Sequence, residues 1–349
     1  MSVRIAVDAM GGDNAPHEVV MGAVQALQND KDLEVLLIGD EEKIKTELTH
    51  ANFDKEIEIV HTDEWVGMDE PPKKALEAKK NASINIATKL LNEDKAGALV
   101  SAGNTGATVL AAAQNLAIIE GIERTGLAAI YPTAKFTPES RGVALMLDVG
   151  ATLKCTPKQL VHFAYMGSYY VSHILEIPNP RVGLLNIGEE ETKGGDLLVK
   201  TYRYLKAAES INFIGNVEGK DIPKGMADVI ITEGFVGNVV LKLLEGVADV
   251  LKATGKYAFK KKFTWKIGLA LLSSGVKRIK RKTDYSEYGG APILGFQKLV
   301  IKAHGRSNAK AIANAIRVAK ISAAQNICKH IAESIAEFNA KHKIDFIEI

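Results

Sequence analysis

Two residues in this chain have the type and the setting to offset charge during a group transfer. Lys193 lies in Gly188-Glu189-Glu190-Glu191-Thr192-Lys193-Gly194-Gly195, a glycine-flanked loop between a strand pattern and a helix pattern. Asn238 follows Gly237 where another helix pattern starts. An ammonium there sits where a strand end meets a helix start, the place a ligand would occupy in an open α/β sheet, and a carboxamide could donate to a developing oxyanion. The plain alternatives are a solvated lysine among glutamates and a helix cap.

Polar, glycine-bearing turns surround these two in sequence. They are Asp8-Ala9-Met10-Gly11-Gly12-Asp13-Asn14, Ser101-Ala102-Gly103-Asn104-Thr105-Gly106 and Asp148-Val149-Gly150-Ala151, then Asn186-Ile187-Gly188-Glu189, Glu233-Gly234-Phe235-Val236-Gly237-Asn238 and His304-Gly305-Arg306-Ser307-Asn308. Glycine lets bare amides approach a ligand, and a helix N-terminus favours an anion. Thr105 is the expected cap of its helix, and His304 is expected to touch phosphate or close its turn. One such turn is commonly just a capped helix start; six together point to a shared anionic ligand. No G-x-G-x-x-G follows the first strand pattern and no G-x-x-x-x-G-K-[ST] occurs, so the anion is small or part of the reacting group rather than a nucleotide. No clustered acidic ligand set suggests a metal, and no cofactor is expected.

The elements that must hold these turns alternate along the chain. Strand patterns at Arg4–Val7, Glu34–Ile38, Ile57–Val60, Ala98–Val100, Val143–Asp148, Val182–Leu185, Phe213–Ile214, Val229–Thr232 and Leu299–Lys302 are interleaved with helical periodicity. Helices are predicted at Glu18–Leu27, Lys43–Leu48, Ser83–Asn92, Thr105–Asn115, Pro157–Val171, Gly195–Ala208, Gly237 to about Lys252, and Asn308 to about Phe338. Such alternation implies a three-layer α/β/α fold with a mostly parallel sheet. Gly126–Tyr131 beside Val143–Asp148 lacks an intervening helix, so some antiparallel pairing is expected. Residues 1–349 read as one domain with an active cleft between two lobes, and Tyr288-Gly289-Gly290-Ala291-Pro292 as a loop after no clear strand.

With 46% hydrophobic and 25% charged residues, the chain suits an ordinary soluble protein. Its two cysteines, Cys155 and Cys328, form no disulfide framework, which suits a reducing cytoplasm, and neither has a nucleophile motif around it. No apolar run reaches the ~20 residues of a membrane-spanning helix. The net charge of +2 conceals a basic segment at 252–283, where eleven lysines and arginines occur without an acidic residue between Asp249 and Asp284. Trp265, Leu269, Leu272, Val276 and Ile279 share one helical face there, while Lys277 and Arg278 point away. With Phe259 and Phe263, this amphipathic pattern fits an anionic membrane surface, a dimer interface or a dock for an acidic partner. Nothing suggests nucleic acid.

These turns, in this order, resemble the bacterial phosphate acyltransferases, which make acyl phosphate from acyl-[acyl-carrier-protein] and inorganic phosphate for phospholipid synthesis. The resemblance runs from Val3 to about Asn326. Its specific blocks include Asp8–Asp13, Ser101–Ala107, Asp148–Ala151, Met166-Gly167-Ser168, Arg181–Asn186, Phe213–Glu218, Gly234–Asn238 and Tyr288–Ala291. One departure is Thr152, where the family usually has asparagine. The resemblance implies a fold similar to isopropylmalate dehydrogenases and phosphotransacetylases. It also implies a homodimer, no metal or nucleotide, and activity resting on Lys193 and Asn238. Acyl carrier protein, an anionic membrane surface and a downstream membrane acyltransferase would be its partners. A short-chain phosphotransacetylase and a non-catalytic lipid- or acyl-phosphate-binding scaffold are the rival readings.

Overall fold

The computed structural model describes residues 2–341 apart from Asp54, residues 136–139 and, within 262–288, all but Thr264, Gly268, Leu271 and Leu272. Its strands are β1 (Val3–Asp8), β2 (Leu33–Gly39), β3 (Glu58–His61), β4 (Ala98–Ser101), β5 (Gly126–Pro132), β6 (Val143–Leu147), β7 (Val182–Leu185), β8 (Phe213–Val217), β9 (Val229–Ile231), β10 (Ala291–Leu294) and β11 (Leu299–Lys302). They form one sheet in the order β3-β2-β1-β4-β11-β10-β5-β6-β9-β7-β8. Antiparallel pairing is confined to β11–β10, β10–β5 and β5–β6. The set β6-β9-β7-β8 therefore runs opposite to β3-β2-β1-β4-β11.

The register makes this sheet stepped. Ile293 of β10 lies opposite both Val300 of β11 and Leu127 of β5. Ala128 lies opposite Leu147 of β6, which puts Asp148 level with Leu127. Asp148, just past the carboxyl end of β6, thus falls two residues, about 7 Å of extended chain, from the level of Lys302 at the end of β11. Two oppositely directed strand sets bring their carboxyl ends to nearly one level near the middle of the sheet.

Both faces are buried, so strands alternate between two apolar layers rather than between core and water. Ile5 and Val7 of β1 enter one layer and Ala6 the other; in β6, Leu145 and Leu147 oppose Ala144 and Met146. The first layer is covered by α1 (His17–Asn29), α2 (Glu41–His50), α6 (Pro157–Ile174), α7 (Gly195–Ala207), α9 (Ala309–Ala324) and α10 (Ile327–Lys341). The second is covered by α3 (Pro72–Ala78), α4 (Ser83–Asn92), α5 (Thr105–Asn115) and one side of α8 (Gly234–Lys261).

Some boundaries differ from the sequence reading. The single helix expected from Asn308 to Phe338 is two, because Asn326 takes a left-handed φ of 51° that ends the first. Ala291 and Pro292, taken as the end of a loop, instead begin β10, the strand that joins the two halves of the sheet. The helix expected from Gly237 starts three residues earlier, at Gly234.

Candidate active site

At the end of the first strand set, register aligns Asp8 with Ser101 and Ser101 with Lys302. Asp8 is buried, and each carboxylate oxygen is used: Ser83 Oγ donates to Oδ1 at 2.6 Å and Ser101 Oγ to Oδ2 at 2.7 Å. Burial raises its pKa against the lowering effect of these hydroxyls and of Lys302. Asp8 therefore pins the turns together. The turns touch at their glycines: a Cβ on Gly11 would stand 2.6 Å from the amide nitrogen of Gly103. The Asp13 amide donates to the Gly305 carbonyl at 2.8 Å, tying in the turn after β11.

In the turn after β4 the cap is Asn104, not Thr105, which is the first helical residue of α5. Asn104 Oδ1 accepts from the Ala107 amide, and its Nδ2 donates to the carbonyls of Met68 and Glu70. The Gly103 amide donates to Ser101 Oγ. Among the described hydrogen bonds, the amides of Thr105 and Gly106 donate to nothing, as a helix N-terminus leaves them. Beyond β11, His304 is half-buried and its Nδ1 accepts from the Arg306 amide, so Nε2 carries the proton of the neutral ring. Burial first, and then nearby Lys242, lowers its pKa.

At the end of the second strand set, Asp148 is fully buried. Its Oδ1 accepts from the amides of Leu127, Gly150 and Ala151, and its Oδ2 from Thr152 at 2.8 Å. The amides of Gly150 and Ala151, in the turn expected to hold phosphate or shape its pocket, are thus directed at Asp148. Thr152, the departure from the family pattern, is structural too: its hydroxyl accepts from the Gly234 amide at the start of α8. Asn238, one turn further along α8, faces the same turn, with its Oδ1 3.7 Å from where a Cβ on Gly150 would stand.

Lys193 follows β7, which is separated from β6 only by β9. It is exposed, and among the described residues no hydrogen bond or ion pair engages its ammonium. Its backbone carbonyl is held by Asn186 Nδ2 at 3.0 Å. No described contact joins its side chain to Asn238. In the acidic grouping of Glu189, Glu218 and Asp221, Glu189 is exposed and the other two are half-buried, with Lys220 bonded to Glu218.

Two lysines escaped the sequence reading. Lys302 ends β11 almost wholly buried, and Lys242 lies one turn beyond Asn238 on α8, close enough to act electrostatically on Lys302 and His304. A lysine closing an apolar strand pattern just before His304-Gly305 was the available signal for the first. Of the basic segment, Phe263, Trp265, Leu269, Val276, Lys277 and Arg278 lie outside the described residues. Phe259 falls within α8 without a described side chain, and Leu272 is exposed.

The fold is that of the phosphotransacetylases. It is similar to a phosphotransacetylase from Streptococcus pyogenes (TM-score 0.61, 19% identity, 93% of this chain and 94% of that one) and to the EutD phosphotransacetylase from Staphylococcus aureus (TM-score 0.57, 17% identity, 92% and 94%). Sequence narrows this further. Residues 3–330 match the family model described as fatty acid synthesis protein. Proteins named phosphate acyltransferase from Desulfitobacterium hafniense strain Y51 (47% identity; 97% of this chain, 99% of the relative) and Thermoanaerobacter pseudethanolicus (44%; 95% and 97%) align over nearly their full lengths. The chain belongs to the phosphate acyltransferase family, and with it to the acyltransferases.

Proposed function

We propose that this enzyme transfers a long-chain fatty acyl group from acyl carrier protein to inorganic phosphate, giving acyl phosphate for phospholipid synthesis. The observation that carries the reading is the near-full-length match to relatives named phosphate acyltransferase, supported by a register that brings two sets of strand carboxyl ends to nearly one level, with the buried Lys302 there. The chemistry needs no protein nucleophile. A phosphate oxygen attacks the thioester carbon, the C–S bond breaks, and the proton of the hydrogen phosphate ends on the departing thiolate, whose pKa is ~8.5. The enzyme aligns the reactants and stabilises charge. Lys193 would offset charge on the phosphate or the tetrahedral intermediate, and Asn238 Nδ2 would donate to its oxyanion.

The likeness to phosphotransacetylases makes transfer from a short acyl-CoA the second reading. Phosphate-dependent release of free thiol, measured in parallel with long-chain acyl carrier protein and with acetyl-CoA, tests both. Faster release from acetyl-CoA would overturn the carrier-protein reading, and no release from either would overturn the activity.

The working unit we propose is a homodimer that binds an anionic membrane surface, where acyl phosphate would be handed to a membrane acyltransferase. Supporting this, Val239, Leu243, Val247 and Val250 form an exposed apolar stripe along α8, which leads into the basic segment. Among the described residues no helix is long and apolar enough to cross a membrane. Flotation with anionic liposomes should be lost when Leu269 and Leu272 become glutamate; unchanged flotation would remove the membrane contact.

A further inference from the structure

Lys302 is 6% exposed, and the only acceptor its Nζ has among the described residues is the Ala303 carbonyl. An ammonium has three N–H donors, and a buried one is retained where an anion meets it. Asp8 is near enough to support the charge but forms no described ion pair with Lys302, and its two oxygens accept from Ser83 and Ser101. Asp13 also acts only at range. The buried ammonium therefore has unspent donors at the level where the two strand sets meet.

A second cation lies within electrostatic range of it. Lys242 stands on α8, whose first turn is seated on Asp148 and Thr152 of the opposite strand set. Its side chain is exposed and paired with Glu245 at 2.7 Å, yet its charge reaches Lys302 and His304. Two ammonium groups within electrostatic range of each other, one buried with unspent donors and one able to leave its carboxylate, suit a dianion. The adjacent turn after β4 offers the unspent amides of Thr105 and Gly106.

We infer that Lys302 and Lys242 form the seat of inorganic phosphate, one lysine from each side of the cleft, with Lys242 exchanging Glu245 for the anion. This rests on the acyl transfer to phosphate proposed above and names the residues that recognise the acceptor substrate. Because the two lysines belong to elements anchored on opposite strand sets, bound phosphate would tie the two sides together. The burial that lowers the Lys302 pKa in the free enzyme is relieved by the same anion.

The test uses the full chain, with inorganic phosphate varied at saturating acyl carrier protein thioester, and separately the rise in Tm that inorganic phosphate produces without donor. Losing one charged hydrogen bond costs about 10- to 100-fold, so Lys302→Met should raise the KM for phosphate by about that factor and abolish the Tm response. Lys242→Gln, at an exposed site that does not endanger folding, should raise it several-fold and reduce the Tm response, with the KM for the acyl donor unchanged. Wild-type phosphate KM and Tm response in Lys242→Gln would overturn the two-lysine seat, even if Lys302→Met did not fold. A wild-type enzyme that releases no thiol yet is stabilised by phosphate in a Lys242-dependent way would overturn the reaction and leave the seat standing.

Discussion

Asn186 Nδ2 holds the carbonyl of Lys193 at 3.0 Å while Asn186 Oδ1 accepts from the Ile187 amide at 2.8 Å. The loop after β7 is thus closed by a side chain at one end that grips the backbone at the other. Gly194 follows at φ 89°, packed against the same carboxamide where a Cβ would not fit. The ammonium projects from a loop whose backbone is fixed, although nothing described fixes the ammonium itself.

Lys193→Ala should therefore lose about 10²- to 10³-fold in kcat, the usual cost of one charge-stabilising donor, with an unchanged Tm. Asn186→Ala should lose less in kcat but lower the Tm, because it removes two partly buried hydrogen bonds of about 1 kcal/mol each. Steady-state kinetics beside thermal unfolding separate the two. A Lys193→Ala enzyme with wild-type kcat would take Lys193 out of the mechanism.

Gly237 meets the carbonyl of Asp148 so closely that no Cβ fits, and Thr232 Cγ2 would lie 2.8 Å from one. Alanine would ordinarily strengthen a helix by about 1 kcal/mol. Here overpacking against an immobile backbone oxygen costs about 1–3 kcal/mol, so Gly237→Ala should be net destabilising. It should also depress turnover by displacing the neighbouring Asn238. Calorimetry and kcat on the same preparation check both effects, and a raised Tm would contradict the packing argument.

The pH dependence follows from Lys302, whose pKa burial lowers to about 8, with Lys242 adding to the shift and Asp8 and Asp13 opposing it. Below that value the ammonium is charged; above it the phosphate seat loses its buried cation. Since kcat/KM reports the free enzyme, kcat/KM for phosphate should fall above about pH 8. Asp8→Asn removes a charge that supports the ammonium, so the alkaline limb should move to lower pH. For stability the sign is the reverse. Between about 8 and the ordinary lysine value near 10.4 the unfolded chain binds the extra proton, so this group's contribution to stability grows as pH rises through that window. A profile without an alkaline limb would exclude Lys302 from phosphate recognition.

Burial pushes the Cys155 thiol up to about 11 and the Cys328 thiol up to about 12. Neither yields appreciable thiolate near neutrality. Native enzyme should react slowly with iodoacetamide, and Cys155→Ser should keep turnover within about twofold, the scale of a structural swap at a non-reacting thiol. An acyl group trapped on Cys155 would replace direct attack by phosphate with a covalent route.

Sequence alone was enough to establish the alternation of strands and helices, the polar turns at their junctions and the family, because each is written in contiguous residues. Asp8-Ala9-Met10-Gly11-Gly12-Asp13 is one of several contiguous blocks that together identify the family. Contiguity could not reveal how the turn amides are spent. Gly150 and Ala151 look like anion ligands in a string of letters, but Asp148 consumes their amides once the chain folds back upon itself. Nor could it reveal Lys302, an unremarkable end to Leu299–Lys302 until Ser101 and Asp8 lie beside it in register. Burial, and the approach of Lys242 from a helix seated on the opposite strand set, are properties of the three-dimensional packing. They arise because β10 and β5, antiparallel and offset, bring two strand sets together end to end, and only the tertiary structure specifies that step.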